Sequence, residues 1–133
     1  MRNIKRIVLH TTSGWGDQDT SDIIKYWRNV LGWRQVGYHK LINLDGSIED
    51  LAPLSAVTNG VSGYNKDSIH ICYKGGLREI IGGKRIYGDT RTPEQKEAFI
   101  TAINDVLKEL KRYQDVDDIA IVGHRDLSPD LVS

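Results

Sequence analysis

The sequence is poor in several residue types: its 133 residues include one cysteine, one methionine, one phenylalanine and three prolines. A single cysteine cannot form an internal disulfide, so a disulfide-stapled scaffold is excluded. Cys72 lies inside an apolar run, where a small buried side chain is expected. All apolar runs are far shorter than the roughly 20 residues of a membrane-spanning helix, and no secretory signal is visible. We therefore expect no membrane span and a protein that is cytoplasmic on synthesis.

The charges are balanced, with 18 basic and 18 acidic residues. Such a balance does not favour nucleic acid or an anionic membrane surface as a partner. The fractions of hydrophobic residues, 39%, and of charged residues, 27%, are ordinary for a globular protein. The length fits one domain with one core, so we predict a single domain over residues 1–133.

Hydrophobic periodicity and turn signals predict an alternation of strands and helices. The last helix is the clearest, because a threonine cap, a proline and a capping-box glutamine precede an apolar stripe at helical spacing. This order predicts an α/β fold with a mixed central sheet of about four to six strands and helices packed on it. The predicted elements are a strand at 5–11, a helix at 20–31, a hairpin of 36–43 and 47–51, a strand at 68–73, a helix at 93–113 and a last strand that ends at 123.

Two histidines stand at the exits of apolar strands. His10 follows Ile-Val-Leu, and His124 follows Ile-Ala-Ile-Val-Gly. Strand ends can aim two imidazoles at one point, and neutral imidazole is a common zinc ligand. No Cys-x-x-Cys pair suggests a structural zinc site, so the long separation favours a catalytic one assembled by the fold. The alternative is that both histidines are structural residues, hydrogen-bonded within the fold, that bind no metal.

Tyr38 and His39 open the predicted second strand. Side chains alternate along a strand, so the two residues should face opposite sides of the sheet. A tyrosine near zinc can hydrogen-bond a developing oxyanion. An aromatic packing residue with its hydroxyl satisfied at the edge is the other interpretation of Tyr38, and from these residues alone we favour it.

An ordered series of short motifs spans nearly the whole chain. It comprises Ile-Val-Leu-His-Thr-Thr at 7–12, Trp27, Gly-Trp at 32–33, Val-Gly-Tyr-His at 36–39, Asp-Gly-Ser at 45–47, Gly-Tyr-Asn at 63–65, Ser-Ile-His-Ile-Cys-Tyr-Lys-Gly-Gly at 68–76, Arg-Thr-Pro-Glu-Gln at 91–95 and Val-Gly-His-Arg-Asp at 122–126. The series resembles the zinc-dependent N-acetylmuramoyl-L-alanine amidases of the phage-lysozyme type. These enzymes share a fold with peptidoglycan recognition proteins, and their bacteriophage and gut-bacterial members are the most similar in character.

The resemblance implies a peptidoglycan hydrolase that cleaves the amide between N-acetylmuramic acid and L-alanine. It implies that His10 and His124 are two of three zinc ligands and that Tyr38 assists at the metal-activated water and the oxyanion. Thr12, Tyr64 and Asn65 are implied to bind peptidoglycan or muropeptide. His39 looks structural. The implied site of action is the cell wall, reached after release or export, and the oligomeric state stays open.

The expected third zinc ligand is a cysteine or aspartate after the second histidine, and this chain has no cysteine there. Asp130 could substitute as a ligand, whereas Asp126 more often orients the loop. We considered three explanations: loss of the family's C-terminal segment, a degenerate homologue that binds peptidoglycan fragments without catalysis, and a site completed by another chain. We favour the first, and so expect a single amidase-like domain that lacks this segment.

Two further departures from the family concern a histidine. The family often has one before Gly-Tyr-Asn, where this chain has Asn59-Gly60, and usually has glycine where this chain has His70. His70 could fill space near the groove or supply a ligand, but we favour drift. A nucleotide or phosphate binder is a distant alternative, because neither the Gly75-Gly76 nor the Gly82-Gly83 pair precedes a helix.

Overall fold

The structure is a computed structural model that describes residues 1–127 of the chain. The described part contains seven strands, three α-helices and one short 3-10 helix, Asn65–Asp67. The strands are β1 (Arg6–Thr11), β2 (Lys40–Ile42), β3 (Ile48–Asp50), β4 (Ser68–Tyr73), β5 (Leu77–Ile81), β6 (Lys84–Tyr87) and β7 (Ala120–Gly123), and the helices are α1 (Thr20–Asn29), α2 (Pro93–Leu110) and α3 (His124–Leu127).

Five strands form one mixed sheet in the order β3-β2-β4-β1-β7. Strand β1 pairs in parallel with β4 on one side and with β7 on the other, and β2 pairs in parallel with β4. Only β3 runs antiparallel, as the partner of β2 in a hairpin. The predicted α/β architecture with a mixed central sheet is therefore confirmed.

The pleat of the sheet separates an apolar face from a face that carries the histidines. Because side chains alternate along a strand, Ile7 and Ile69 point to one side while Val8 and His70, their neighbours in the same register, point to the other. Helix α2 packs on the first side. The core there consists of Ile4, Ile7, Ile42, Ile69, Ile71, Tyr73, Ala98, Phe99, Ala102, Val106 and Leu110.

Helix α1 covers part of the second side. Its buried Ile23 and Trp27 pack with Leu41 and Cys72. The cap of this helix is Asp19, whose carboxylate accepts a hydrogen bond from the amide of Ser21. The helix begins at the predicted residue 20 and ends at Asn29, two residues before the predicted end. Burial of Cys72 agrees with its predicted role as a small core residue.

A second, two-stranded sheet follows the central strand β4. Strands β5 and β6 form a hairpin whose turn contains Gly82 and Gly83, both with positive φ. This left-handed backbone region favours glycine. The two strands of this hairpin were not predicted from the sequence.

No helix within residues 1–127 combines the length and the apolar character needed to cross a bilayer.

Candidate metal centre

The two strand-end histidines meet in space. His10 is the fifth residue of β1, and His124 begins α3 directly after β7, the strand beside β1. Their Nδ1 atoms lie 3.1 Å apart, and both residues are buried, with 3% and 8% of their surface exposed. Two neighbouring parallel strands thus bring residues 114 positions apart in sequence into contact.

This spacing fits two ligands of one metal ion. Two nitrogen ligands of a tetrahedral zinc ion, each about 2.0–2.1 Å from the metal, lie about 3.3–3.4 Å apart. The Nε2 atom of His124 is buried and has no hydrogen-bond partner among the described residues. The Nδ1 atom of His124 faces Nδ1 of His10, and two imidazole nitrogens are a donor set that suits zinc or a similar divalent ion.

His70 joins the same cluster from β4. Its Nδ1 lies 2.8 Å from Nε2 of His10, and its own Nε2 lies 2.9 Å from Oδ1 of Asn65. The ring of His70 fills space beside His10, which was one of the predicted possibilities for this residue. His70 does not share an ion with His124 in this geometry, because it meets the ring nitrogen of His10 that points away from His124.

Burial keeps the histidines of the cluster neutral. It lowers the pKa of His10 well below its usual value, with the charges of His70 and His124 adding to the effect. Burial also lowers the pKa of His124, and it lowers the pKa of His70 to about 3, with neighbouring charges contributing. Neutral imidazole is the form that binds a metal, so the electrostatics of the site suit a cation.

Tyr38 and His39 lie on the same side of the sheet, not on opposite sides as predicted. The Tyr38 ring centroid is 5.0 Å from that of His10, and the His39 ring stacks on His70 at 6.0 Å. The regular strand begins only at Lys40, so strict alternation does not apply before it. His39 accepts a hydrogen bond from the amide of His70 through Nδ1, which agrees with a structural role.

The Tyr38 hydroxyl is directed at Cys72. The thiol of Cys72 donates to the carbonyl of Tyr73 at 3.4 Å, so its sulfur is the acceptor for the tyrosine hydroxyl. Burial, with the thiol adding to it, raises the pKa of Tyr38 well above its usual value. The phenol therefore stays protonated and can act only as a hydrogen-bond donor or acceptor.

The other residues predicted to bind substrate are tied to the scaffold. The Thr12 hydroxyl accepts from the amide of Gly75 at 3.0 Å, and the guanidinium of Arg6 lies over the Tyr64 ring. Asn65 stands at the edge of the histidine cluster through its bond to His70. Asn65 is the predicted substrate residue with a direct link to the cluster.

The described residues supply only two converging ligands. Within residues 1–127, no group of three His, Cys, Asp or Glu side chains converges on a point that could hold a metal. Asp126 is exposed and accepts a hydrogen bond from the amide of Gly123 at 2.8 Å, so it caps the turn after β7. Asp130, the predicted replacement ligand, lies outside the described residues.

A groove of about 660 Å³ opens beside His10. The β5–β6 hairpin and the start of α3 form part of its wall, and Arg85 and Arg125 line it. Neither arginine forms an ion pair with a described residue, whereas Arg91, also in the wall, is paired with Asp89. We did not predict this basic wall from the sequence, because only the fold brings the hairpin next to β1.

Known proteins with similar sequences are amidases and phage endolysins. The sequence profile described as N-acetylmuramoyl-L-alanine amidase matches residues 1–130. The endolysin of Enterobacteria phage K11 is 35% identical over 106 residues, which are 80% of this chain and 64% of that protein. The endolysin of Escherichia phage T7 is 41% identical over 76 residues, 57% of this chain and 48% of that protein. The chain thus spans less than two thirds of these relatives.

Solved structures share the fold. The Ph2119 endolysin of a Thermus scotoductus bacteriophage matches with a TM-score of 0.74 and 24% identity over 96% of this chain and 75% of that one. Human PGRP-IBETAC, solved in complex with glycosamyl muramyl pentapeptide, matches with a TM-score of 0.75 and 20% identity over 95% of this chain and 74% of that one. With a family profile that matches residues 1–130, this chain belongs to the N-acetylmuramoyl-L-alanine amidase family.

Proposed function

We propose that this chain is a zinc-dependent peptidoglycan hydrolase that cleaves the amide between N-acetylmuramic acid and L-alanine. The observation that carries the proposal is the approach of Nδ1 of His10 to Nδ1 of His124 at 3.1 Å, in a chain of the amidase family. Endolysin relatives support cell-wall peptidoglycan as the substrate. The complex of human PGRP-IBETAC with a muramyl pentapeptide shows that a protein of this fold can hold such a ligand.

His10 and His124 would hold the zinc ion through their neutral Nδ1 atoms. When bound, zinc supplies a Lewis acid that activates water and polarises the scissile carbonyl. Burial of both imidazoles keeps them unprotonated at neutral pH. A third protein ligand is needed for a tight site, and residues 128–133, which include Asp130, are where this chain could supply one.

Tyr38 and the basic wall would act on the substrate. The Tyr38 ring centroid lies 5.0 Å from that of His10, so the hydroxyl, once turned from Cys72 toward the substrate, would donate to the developing oxyanion. Peptide stems of peptidoglycan carry carboxylates, and Arg85 and Arg125 offer unpaired positive charge in the groove beside His10. Thr12, Tyr64 and Asn65 would contribute to the substrate-binding surface, as the family resemblance implies.

Measurement of zinc content together with cleavage tests this function. Purified protein that holds about one zinc ion per chain and releases peptide stems from peptidoglycan supports the proposal. His10→Ala should abolish release and lower the zinc content, whereas Lys66→Ala, an exposed change on the turn after Tyr64, should alter neither. Cleavage that persists in His10→Ala would contradict the assignment of this histidine.

A binding module is the second candidate. The observation that favours it is that only two ligands converge within the described residues. In this case the groove would hold muropeptide without hydrolysis, and His10→Ala would leave peptidoglycan binding intact. Sedimentation of the protein with insoluble peptidoglycan, in parallel with the cleavage assay, separates the two candidates.

A further inference from the structure

A line of hydrogen bonds leads from a backbone amide to the candidate zinc ligand. The amide of Val61 donates to Oδ1 of Asn65 at 2.8 Å. A backbone amide can only donate, so this atom of Asn65 must be the acceptor oxygen and the orientation of the side-chain amide is fixed. His70 places Nε2 at 2.9 Å from the same oxygen, so Nε2 of His70 must carry the hydrogen.

The hydrogen on Nε2 of His70 determines the protonation pattern of the next ring. A neutral imidazole has one hydrogen; His70 is fully buried, and among the described residues its ring nitrogens contact an amide oxygen and another imidazole but no carboxylate, so its Nδ1 is an acceptor. That Nδ1 lies 2.8 Å from Nε2 of His10, which must therefore donate. His10 is also buried, with 3% of its surface exposed, and its hydrogen is on Nε2, so the lone pair of its Nδ1 faces Nδ1 of His124 at 3.1 Å.

The two family departures at positions 60 and 70 meet in space. A β-carbon added to Gly60 would lie 2.2 Å from Nδ1 of His70 and 2.3 Å from its Cγ, well inside contact distance. The ring of His70 therefore occupies the space in front of Gly60, and it can keep its bond to His10 only if residue 60 has no side chain.

We propose that Asn65 and His70 form a relay that holds His10 in its Nε2–H tautomer and keeps the Nδ1 lone pair aimed at a metal ion shared with His124. His70 is in this view a positioning residue, because it acts through His10 and does not touch the ion. The inference rests on the zinc site of the proposed function and adds to it the groups that prepare that site before metal arrives. Groups that orient a histidine ligand in this way are commonly worth about 10–100-fold in metal affinity.

The first test needs neither zinc nor peptidoglycan. In metal-free protein, long-range ¹H–¹⁵N spectra of the histidine rings should show His10 and His70 both as Nε2–H tautomers. His70→Phe keeps an aromatic ring in the same place but removes the acceptor, so His10 should then populate the Nδ1–H form. A wild-type spectrum in which His10 carries its hydrogen on Nδ1 would overturn the proposal.

The second test measures zinc affinity by competition with a chelator. His70→Phe should weaken zinc binding by about 10–100-fold. Gly60→Ala should also weaken it, because the imidazole is retained but displaced, and Asn65→Asp should preserve it, because a carboxylate still accepts both hydrogen bonds. Lys66→Ala is the matched control on the same turn.

Zinc binding by His70→Phe at wild-type strength, in a variant whose folding is verified by its thermal transition, would overturn the relay. The outcome is separable from that of the proposed function. If the wild-type protein shows the Nε2–H tautomers and binds zinc but cleaves no peptidoglycan, hydrolysis fails and the relay stands. If it cleaves peptidoglycan while His10 is an Nδ1–H tautomer, the relay fails alone.

Discussion

The imidazole rings of His39 and His70 stack with their centroids 6.0 Å apart and their planes 16° from parallel, and the amide of His70 donates to Nδ1 of His39 at 3.0 Å. His39 is fully buried, and its Nε2 lies 2.8 Å from the carbonyl of Ala56 and 3.3 Å from the guanidinium of Arg2. The pKa of His39 is lowered to about 4: burial lowers it most, the hydrogen bond to Ala56 opposes this effect, and the charges of Arg2 and Lys40 add to it.

This shift predicts that acid destabilises the fold. Between pH 6.5, the usual pKa of histidine, and about pH 4, the unfolded chain binds a proton at His39 that the folded protein does not. The free energy of unfolding should therefore be highest above pH 6.5 and fall by up to about 1.4 kcal/mol per pH unit from this residue alone. Urea unfolding at a series of pH values measures the slope.

His39→Asn is the matched variant for the acid prediction, because its side-chain oxygen can accept the bond from His70 but does not titrate in this range. In this variant the free energy of unfolding should fall less steeply with decreasing pH, by the contribution of one proton. An unchanged slope would assign the acid sensitivity to the other buried histidines.

Tyr38 provides a test of oxyanion assistance. Tyr38→Phe keeps the ring against His10 and removes the hydroxyl that now points to Cys72. If the hydroxyl turns to the substrate, kcat should fall by about 10²–10³-fold, the usual effect of losing one oxyanion donor, while zinc content stays constant. Peptidoglycan turnover equal to that of the wild type would make Tyr38 a packing residue.

The basic wall of the groove should contribute to substrate binding. Arg85→Ala removes one guanidinium that lines the groove and is not paired with any described residue. A charged hydrogen bond that is partly exposed to solvent is worth about 1 kcal/mol, so KM for a soluble muropeptide should rise about fivefold with kcat nearly constant.

Lys84→Ala, on the same hairpin but outside the groove lining, is the control for Arg85. An equal rise in KM for the two variants would mean that Arg85 acts only through the positive charge of the hairpin and not through a specific contact. A loss of zinc in Arg85→Ala would instead indicate that the hairpin supports the site.

Gln95 links helix α2 to the sheet. Its side chain is fully buried, accepts from the amide of Thr92 at 3.0 Å and donates to the carbonyl of Lys74 at 3.0 Å. Gln95→Leu should lower the free energy of unfolding by about 2–4 kcal/mol, because buried backbone groups lose their partners. Urea unfolding measures this loss, and the exposed change Glu97→Ala should stay within about 0.5 kcal/mol of the wild type. Similar stability of both variants would contradict the structural role of Gln95.

The sequence predicted the elements whose signals are local. Strand β4 has its predicted bounds, and α2 starts at the predicted Pro93 because a capping box and a proline mark its first turn. Strand β2 is shorter than predicted, since Tyr38 and His39 turn their rings to the histidine cluster before the regular pairing begins.

The sequence predicted one part of the candidate metal site and not the other. The convergence of His10 and His124 follows from two strand ends of one parallel sheet, and it was expected. The contact of Gly60 with His70 joins an irregular loop to a central strand, and no periodicity reports such a contact. The β5–β6 hairpin was not predicted because its residues are mostly exposed, so no alternation of apolar and polar residues marks its strands.

The position of β1 between two parallel neighbours links metal binding to the cooperativity of the whole domain. Residues Arg6 to Leu9 are paired on both sides, so their amides should exchange with deuterium only when the sheet opens globally. If zinc binds only the folded protein, a free zinc concentration of 100 times the Kd would raise the free energy of that opening by about 2.7 kcal/mol. Exchange at β1 should then slow about 100-fold in zinc and return to its metal-free rate on chelation. Deuterium exchange at these β1 amides would therefore report zinc binding at the strand's end.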